Sequence, residues 1–340
     1  MSLKPNSISK LGVILAVILI VSLASAIFLF FLLVQHGYST IISNNNGSTT
    51  TNNNHDISKE VFVVDYANIR IQKFDNDGKF IAKWGSEGDG EGQFKIPHGI
   101  AVDSSGSSVY VTDMTGLSIN KFTRSGEFIT KWGSKGSGNG QFLHLHSIDI
   151  DSLGNVYVTD MQNFNIQKFT SDGKFITSWG SKGDGNGKFM APEGIAVDPF
   201  GNIFVSDTAN NNIQKFTSDG KFITSWGSKG DGQGQLDSPA GIDVDSSGNL
   251  YVTDDGNSRI QKFTNNGDFV TMWGSKGSGN GQLDRPHDIA VDSSGNNVYV
   301  AEQGNFRIQK FTSDGKFATK WGSEGSGDNQ FQDPHSVAVY

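Results

Sequence analysis

The tryptophans of this 340-residue chain recur at a nearly constant interval. There are six, Trp84, Trp132, Trp179, Trp226, Trp273 and Trp321, separated by 48, 47, 47, 47 and 48 residues. A phenylalanine ladder keeps the same step: Phe74, Phe122, Phe169, Phe216, Phe263 and Phe311. Self-similarity at such a period restricts the chain to architectures that pack one supersecondary unit against copies of itself.

The unit 191–236 reads APEGIAVDPFGNIFVSDTANNNIQKFTSDGKFITSWGSKGDGQGQL. It holds four short apolar stretches, GIAVD, NIFVSD, NIQKF and KFITSW, separated by the turn signals PFGN and SDGK. Apolar and polar residues alternate within each stretch, as in a half-buried strand. Four such strands per unit (a to d in chain order) predict the blade of a β-propeller. Glycine is abundant, 43 residues against 7 prolines, as many tight turns require. The extra residue in two of the intervals falls in the a–b turns, at Asp103–Ser108 and Asp292–Asn297, where it disturbs no ladder.

The ends of the repeated region predict a closed ring. It opens with strands b, c and d (VFVVDYANIRIQKF…GKFIAKW) and lacks strand a, while the last nine residues, QDPHSVAVY, supply a strand a alone. Joining Ser336–Tyr340 to Val61–Trp84 gives a composite sixth blade and removes the open edges of a partial ring. A linear solenoid, the competing reading, leaves a lone strand at one end and a three-stranded unit at the other. The expected fold is therefore all-β, a six-bladed propeller over residues 59–340.

The preceding segment is different. Leu11 to Val34 is an uncharged apolar run of 24 residues, about 36 Å as a helix, enough to cross a bilayer. Ala24-Ser25-Ala26 resembles a signal-peptide cleavage site. Eight more apolar residues, Ile27 to Val34, follow that site and favour an uncleaved anchor. Lys4 and Lys10 place the short amino end in the cytoplasm by the positive-inside rule. The expected organisation is a cytoplasmic tail (1–10), a transmembrane anchor (11–35), an Asn/Ser/Thr-rich linker (36–58) and an extracytoplasmic, monomeric propeller (59–340). The linker carries one glycosylation sequon, Asn46-Gly47-Ser48. The chain has no cysteine, which excludes disulfides, thiolate metal sites and a cysteine nucleophile. Its net charge of −8 argues against a nucleic-acid partner. The Gly-rich GSKGSGNG segments lead into strands rather than helices and so lack the helix amino end of a phosphate loop.

The pattern P-x-G-I-A-V-D-x-x-G-N-x-Y-V-x-D-x-x-N-x-R-I-Q-K-F resembles the NHL repeat. It stands here as Ile100-Ala101-Val102-Asp103, Tyr251-Val252-Thr253-Asp254 and Arg259-Ile260-Gln261-Lys262-Phe263. The resemblance covers residues 61–340 and implies the six-bladed fold. Propellers of this type serve as protein- or RNA-binding modules, as sensor domains and as a metal-dependent lyase, so fold alone does not fix activity.

In this blade order strand a lines the central channel and begins at the top face, which it shares with the d–a and b–c loops. The residue after its opening proline then rings the channel mouth: His98, His146, Glu193, Ala240, His287 and His335, with Leu145 replacing the proline in the second blade. Duplication spreads a residue without selection for its chemistry, and these histidines have a bland reading as local hydrogen-bonding caps. Glu193 and Ala240, however, show that the backbone does not demand histidine there. Alternate blades give a pseudo-three-fold set, His98, Glu193 and His287, with ligand types suited to Zn²⁺ or another divalent ion. His146, His335 and Asp288 are further possible ligands.

This arrangement is similar to the propeller lyase that cleaves peptidyl-α-hydroxyglycine, whose axial zinc is held by three histidines in Pro-His contexts on alternate blades. Pro97-His98 and Pro286-His287 match two of them, and Asp288 matches a neighbour that helps hold a structural calcium in that family. Glu193 departs from the third. The family's catalytic tyrosine has no counterpart at Ala67, Thr115, Gln162, Ala209, Gly256 or Gly304, and its arginine is also missing. The acidic strand-b ends, Asp65, Asp113, Asp160, Asp207, Asp254 and Glu302, form a second ring, read either as a ligand-binding rim or as Asx-type turn acceptors. The expectation for function is a binding or sensing module that holds a protein, peptide or glycan on its top face. The alternative is a metal-dependent lyase or hydrolase at the channel mouth.

Overall fold

A computed structural model describes residues 59–340; the expected tail, anchor and linker lie outside the described residues. Six four-stranded antiparallel sheets follow one another. In blade 1 they are Pro97–Val102, Ser108–Asp113, Ser118–Thr123 and Phe128–Trp132. The a strands of blades 2 to 5 are Leu145–Ile150, Pro192–Val197, Pro239–Val244 and Pro286–Val291. Blade 6 is composite. Pro334–Val339 pairs with Glu60–Asp65 in the register Val61↔Val339 and Val63↔Val337. Each a strand touches the a strands of both neighbouring blades, Pro334–Val339 against Pro97–Val102 included, so the ring is closed. Among the described residues the one helical element is the 3₁₀ turn Asp255–Asn257.

The repeat motif is legible as inter-blade adhesive. Trp179 meets Tyr157 of its own blade edge-on at 6.3 Å and Phe216 of the next blade at 6.0 Å. Phe189, from the loop leading into the next blade, is fully buried and lies 5.7 Å from the same Phe216. The Gln and Lys of I-Q-K-F work in the same direction. Gln167 accepts the Gly140 amide at 2.9 Å and donates to the Gln141 carbonyl at 2.8 Å, locking the d–a loop. Lys168 lies 4.8 Å from the Tyr157 ring centroid and donates to the Ser218 carbonyl of the next blade. The outer d strands show the half-buried alternation that the sequence predicts, with Ile176 and Ile223 exposed on the rim.

Inside the channel the a strands are stapled to one another by side chains. Thr159 accepts the Ser147 amide and donates to the Glu193 carbonyl of the next blade, both at 2.8 Å. Thr112 and Ser206 repeat this bridge between blades 1 and 2 and between blades 3 and 4. Three carboxylates act lower down: Asp149 accepts the Val197 amide at 2.7 Å, Asp243 the Val291 amide at 2.6 Å and Asp288 the Val337 amide at 3.0 Å. They border a lower vestibule of ≈ 320 Å³. Removal from bulk water is the main force raising the Asp149 carboxyl to about 7, with nearby Asp151 and Asp288 adding to it.

Two predictions follow the packing. Gly201 and Gly220 both have positive φ, +83° and +85°, but a Cβ meets nothing within 4 Å at Gly201 and lies 2.5 Å from Trp179 at Gly220. Gly201→Ala is expected to cost about 1 kcal/mol in urea unfolding, from backbone strain alone. Gly220→Ala is expected to cost about 1–3 kcal/mol more, because the tryptophan must move; equal costs contradict the role given to Trp179. Asp149 binds its proton more tightly in the folded chain than the ordinary value of 3.8. Its contribution to stability is therefore full below about pH 4 and lost as pH rises through about 7. Relative to Asp149→Asn, the unfolding free energy of the parent chain should fall by on the order of 2 kcal/mol between pH 5 and 8.5. Parallel pH profiles contradict the assignment.

Candidate functional site at the channel mouth

Each a strand opens at the top of the channel, and in every blade but the second, which has Leu145, proline fixes the backbone just before the first side chain that faces the lumen. The structure brings His98, His146, Glu193, Ala240, His287 and His335 to one level. Imidazoles on neighbouring blades touch: ring centroids lie 4.0 Å apart for His98–His335 and 3.9 Å for both His98–His146 and His287–His335. Across the ring, His146 and His287 are 6.1 Å apart. Beneath them the lumen narrows to a void of ≈ 10 Å³, the room of about one water.

The ligand atoms gather differently from the alternate-blade expectation. Those of His98, His146 and His335 lie within 4.8 Å of one another, as do those of His146, Glu193 and His287. The predicted set of His98, Glu193 and His287 is neither of these; the His98 and His287 rings are 6.3 Å apart. The reason is Ala240. Its methyl group leaves a gap between blades 3 and 5, across which Glu193 Oε1 reaches His287 Nε2 at 3.2 Å. Asp288 belongs to neither group, since its carboxylate accepts the Ser336 hydroxyl and the Val337 amide from blade 6.

Electrostatics divide the ring. Burial, reinforced by neighbouring imidazoles, holds His98, His146 and His335 well below the ordinary histidine range, so they are neutral. Burial opposes charge on His287 as well, but the hydrogen bond and charge of Glu193 outweigh it and raise its pKa. Burial likewise works against the Glu193 carboxylate. The His287 hydrogen bond and charge, together with the Thr208 hydroxyl, nonetheless hold it down at about 2. His287 Nδ1 is 3.1 Å from the His335 carbonyl, which fixes that ring from its other side.

Above the ring lies a depression of ≈ 360 Å³. Its wall includes residues that sequence reasoning missed. Tyr66 stacks on His335 with centroids 5.0 Å apart and meets His98 edge-on at 5.9 Å. The Gln303 amide is 2.7 Å from His335 Nδ1, and Arg285 donates to the Gln303 oxygen. Thr208 donates to Glu193 Oε2 at 2.6 Å. Asp255 and Asp333 complete the acidic side. A signal was present. The position after the strand-b acid reads Tyr66, Met114, Met161, Thr208, Asp255 and Gln303, five residue types where the flanking motif hardly changes.

The second predicted ring is not an open rim. Asp65, Asp113, Asp160, Asp207, Asp254 and Glu302 are at most 3% exposed. Asp160 accepts the Leu143 and His144 amides at 2.8 and 3.0 Å and the Asn163 side chain at 2.7 Å. Asp65, Asp254 and Glu302 each hold an arginine as well, Arg70, Arg259 and Arg307, at 2.7–2.8 Å. These carboxylates are used up in anchoring the top-face loops, the Asx-type alternative.

Comparison with known proteins agrees with this architecture. Residues 189–216, 236–263 and 283–311 match the family model described as NHL repeat. Residues 50–122 match one described as 6-bladed beta-propeller. No curated protein matches the chain. Among solved structures, the nidogen/laminin complex contains a chain that superposes with a TM-score of 0.61 at 17% identity, covering 83% of this chain and 98% of that one. A Bacteroides caccae protein of unknown function gives 0.62 at 13% identity, with the same coverages, 83% and 98%. A catalytically inactive virginiamycin B lyase from Staphylococcus aureus, with quinupristin, gives 0.54 at 19% identity, covering 76% and 79%. At these identities the likeness concerns fold alone. The repeat, the closed ring of six sheets and the two family matches agree that this chain carries NHL repeats and folds as a six-bladed β-propeller.

Proposed function

We propose that the chain is a membrane-anchored, extracytoplasmic binding module that holds a peptide, protein segment or glycan in the depression at its channel mouth. One observation carries the reading: the ≈ 360 Å³ depression stands over a floor that narrows to ≈ 10 Å³. A ligand there is stopped at the mouth and cannot thread the ring. The wall offers Tyr66 as a flat apolar surface, Arg285 as a cation, Gln303 and Thr208 as amide and hydroxyl partners, and Asp255 and Asp333 as acceptors. Few, fixed polar groups around an aromatic plate suit an extended polar ligand. On the opposite side of the top face, Leu143 and Met190 are 36% and 38% exposed and add apolar contact for a larger partner. The apolar run 11–34 and the two lysines before it supply the anchor and its orientation.

Peptide and glycan arrays probed with the full chain in detergent test this directly. Ligands retained by the parent should bind at least about tenfold more weakly to Tyr66→Ala and Arg285→Ala, as contacts at the centre of an interface do. Phe200→Ala, which alters an exposed side chain on a bottom-face a–b turn, should leave them unchanged. Binding that survives both mouth substitutions and is lost on changing the bottom face overturns the proposal.

A further inference from the structure

We infer that the channel mouth holds one borderline transition-metal cation, such as Zn²⁺, on the imidazoles of three adjacent blades, His98, His146 and His335. Three observations carry this. The ligand atoms of the three rings lie within 4.8 Å of one another. Around a tetrahedral ion with ~2.0 Å bonds they need to be about 3.3 Å apart, so modest ring rotations close the gap. All three rings are buried, so an ion among them is shielded from bulk water. His335 Nε2 is buried without a hydrogen-bond partner.

The surroundings fit a ligand role better than a capping one. On the far side of the His335 ring, Nδ1 accepts the Gln303 amide at 2.7 Å, and the buried Asp333 Oδ1 stands 3.5 Å from the same nitrogen. Ligation at Nε2 therefore puts the ring proton on Nδ1, where Asp333 replaces Gln303 as its partner in a carboxylate–histidine–metal relay. The His98 ring is likewise bonded to the His146 backbone, which orients it. Nitrogen-only ligation selects Zn²⁺, Ni²⁺ or Cu²⁺ over Ca²⁺ and Mg²⁺, which demand oxygen. The set also differs from the alternate-blade triad of the lyase that the sequence resembles, and it leaves the Glu193–His287 pair intact beside it. His98 and His335 border the depression above, so an ion on them faces the mouth. The inference does not depend on any ligand proposed for that depression, because the metal alone is the probe.

The test uses the full chain, stripped with chelator and dialysed against ZnSO₄, with bound metal read by elemental analysis. One zinc per chain is expected. His98→Ala and His335→Ala should weaken binding at least ~100-fold, Asp333→Asn about 10-fold, and His287→Gln less than about threefold. Ala240 already occupies the equivalent position in blade 4, so alanine is compatible with the ring. Circular dichroism of each metal-free variant checks that it folds. Asp333→Asn, which leaves all three ligands in place, tests the relay separately. Absence of zinc uptake by the parent overturns the inference. So does any result in which His287→Gln costs as much as His98→Ala, since the ion then belongs to the neighbouring cluster.

Discussion

Everything at the channel mouth depends on one backbone pairing, that of Pro334–Val339 with Glu60–Asp65. It joins the two ends of the folded region into a single sheet and turns a row of blades into a ring. A row would expose two unpaired edges and leave the inner face of each a strand without a counterpart across an axis. Once the ring closes at six, its circumference is fixed by sheet packing. The six side chains that begin the a strands then share a circle only about two imidazoles wide. Contact between neighbouring histidines is a geometric consequence of blade number, not of any local attraction.

Closure also sets how the chain deals with polar groups along its axis. The inner edge of each a strand carries amides and carbonyls that no fifth strand pairs. Thr112, Thr159 and Ser206 satisfy some of them from strand b, while Asp149, Asp243 and Asp288 reach sideways to the next blade. Where strand b offers Ala301 in place of a hydroxyl, His287 bonds the His335 carbonyl instead. His287 is therefore both a member of the mouth and a structural staple, and this double role is why its ring is held so firmly opposite Glu193.

The fold was largely legible in the sequence because its determinants are periodic. Trp179, Gln167 and Lys168 each perform one task, their equivalents repeat it around the ring except at Asn120 of blade 1, which replaces the glutamine, and a repeated task leaves a repeated letter. The mouth was legible only in membership. His98, His146, Glu193, His287 and His335 could be placed on one circle by counting. Their pairings could not, because they turn on the gap at Ala240 and on the lean of Glu193 toward His287. The wall residues Tyr66, Arg285 and Gln303 escaped because they interrupt the repeat. The acidic strand-b ends were legible only as a choice: a regular row of carboxylates suits a surface rim or Asx-type turn acceptors, and their burial under the loops that they anchor decides for the second.

The depression is assembled one side chain at a time. Blades 3 to 6 each contribute a residue at the start of strand a and another just after strand b, and neither position takes part in the tryptophan, glutamine and lysine contacts that hold blades together. Stability and recognition are thus written in different letters of the same repeat. Ala240 and Thr208 show that these positions accept very different side chains without disturbing the sheets beneath them. A lineage built on this scaffold can exchange the chemistry of its mouth by single substitutions, blade by blade, while the ring that presents it stays unchanged.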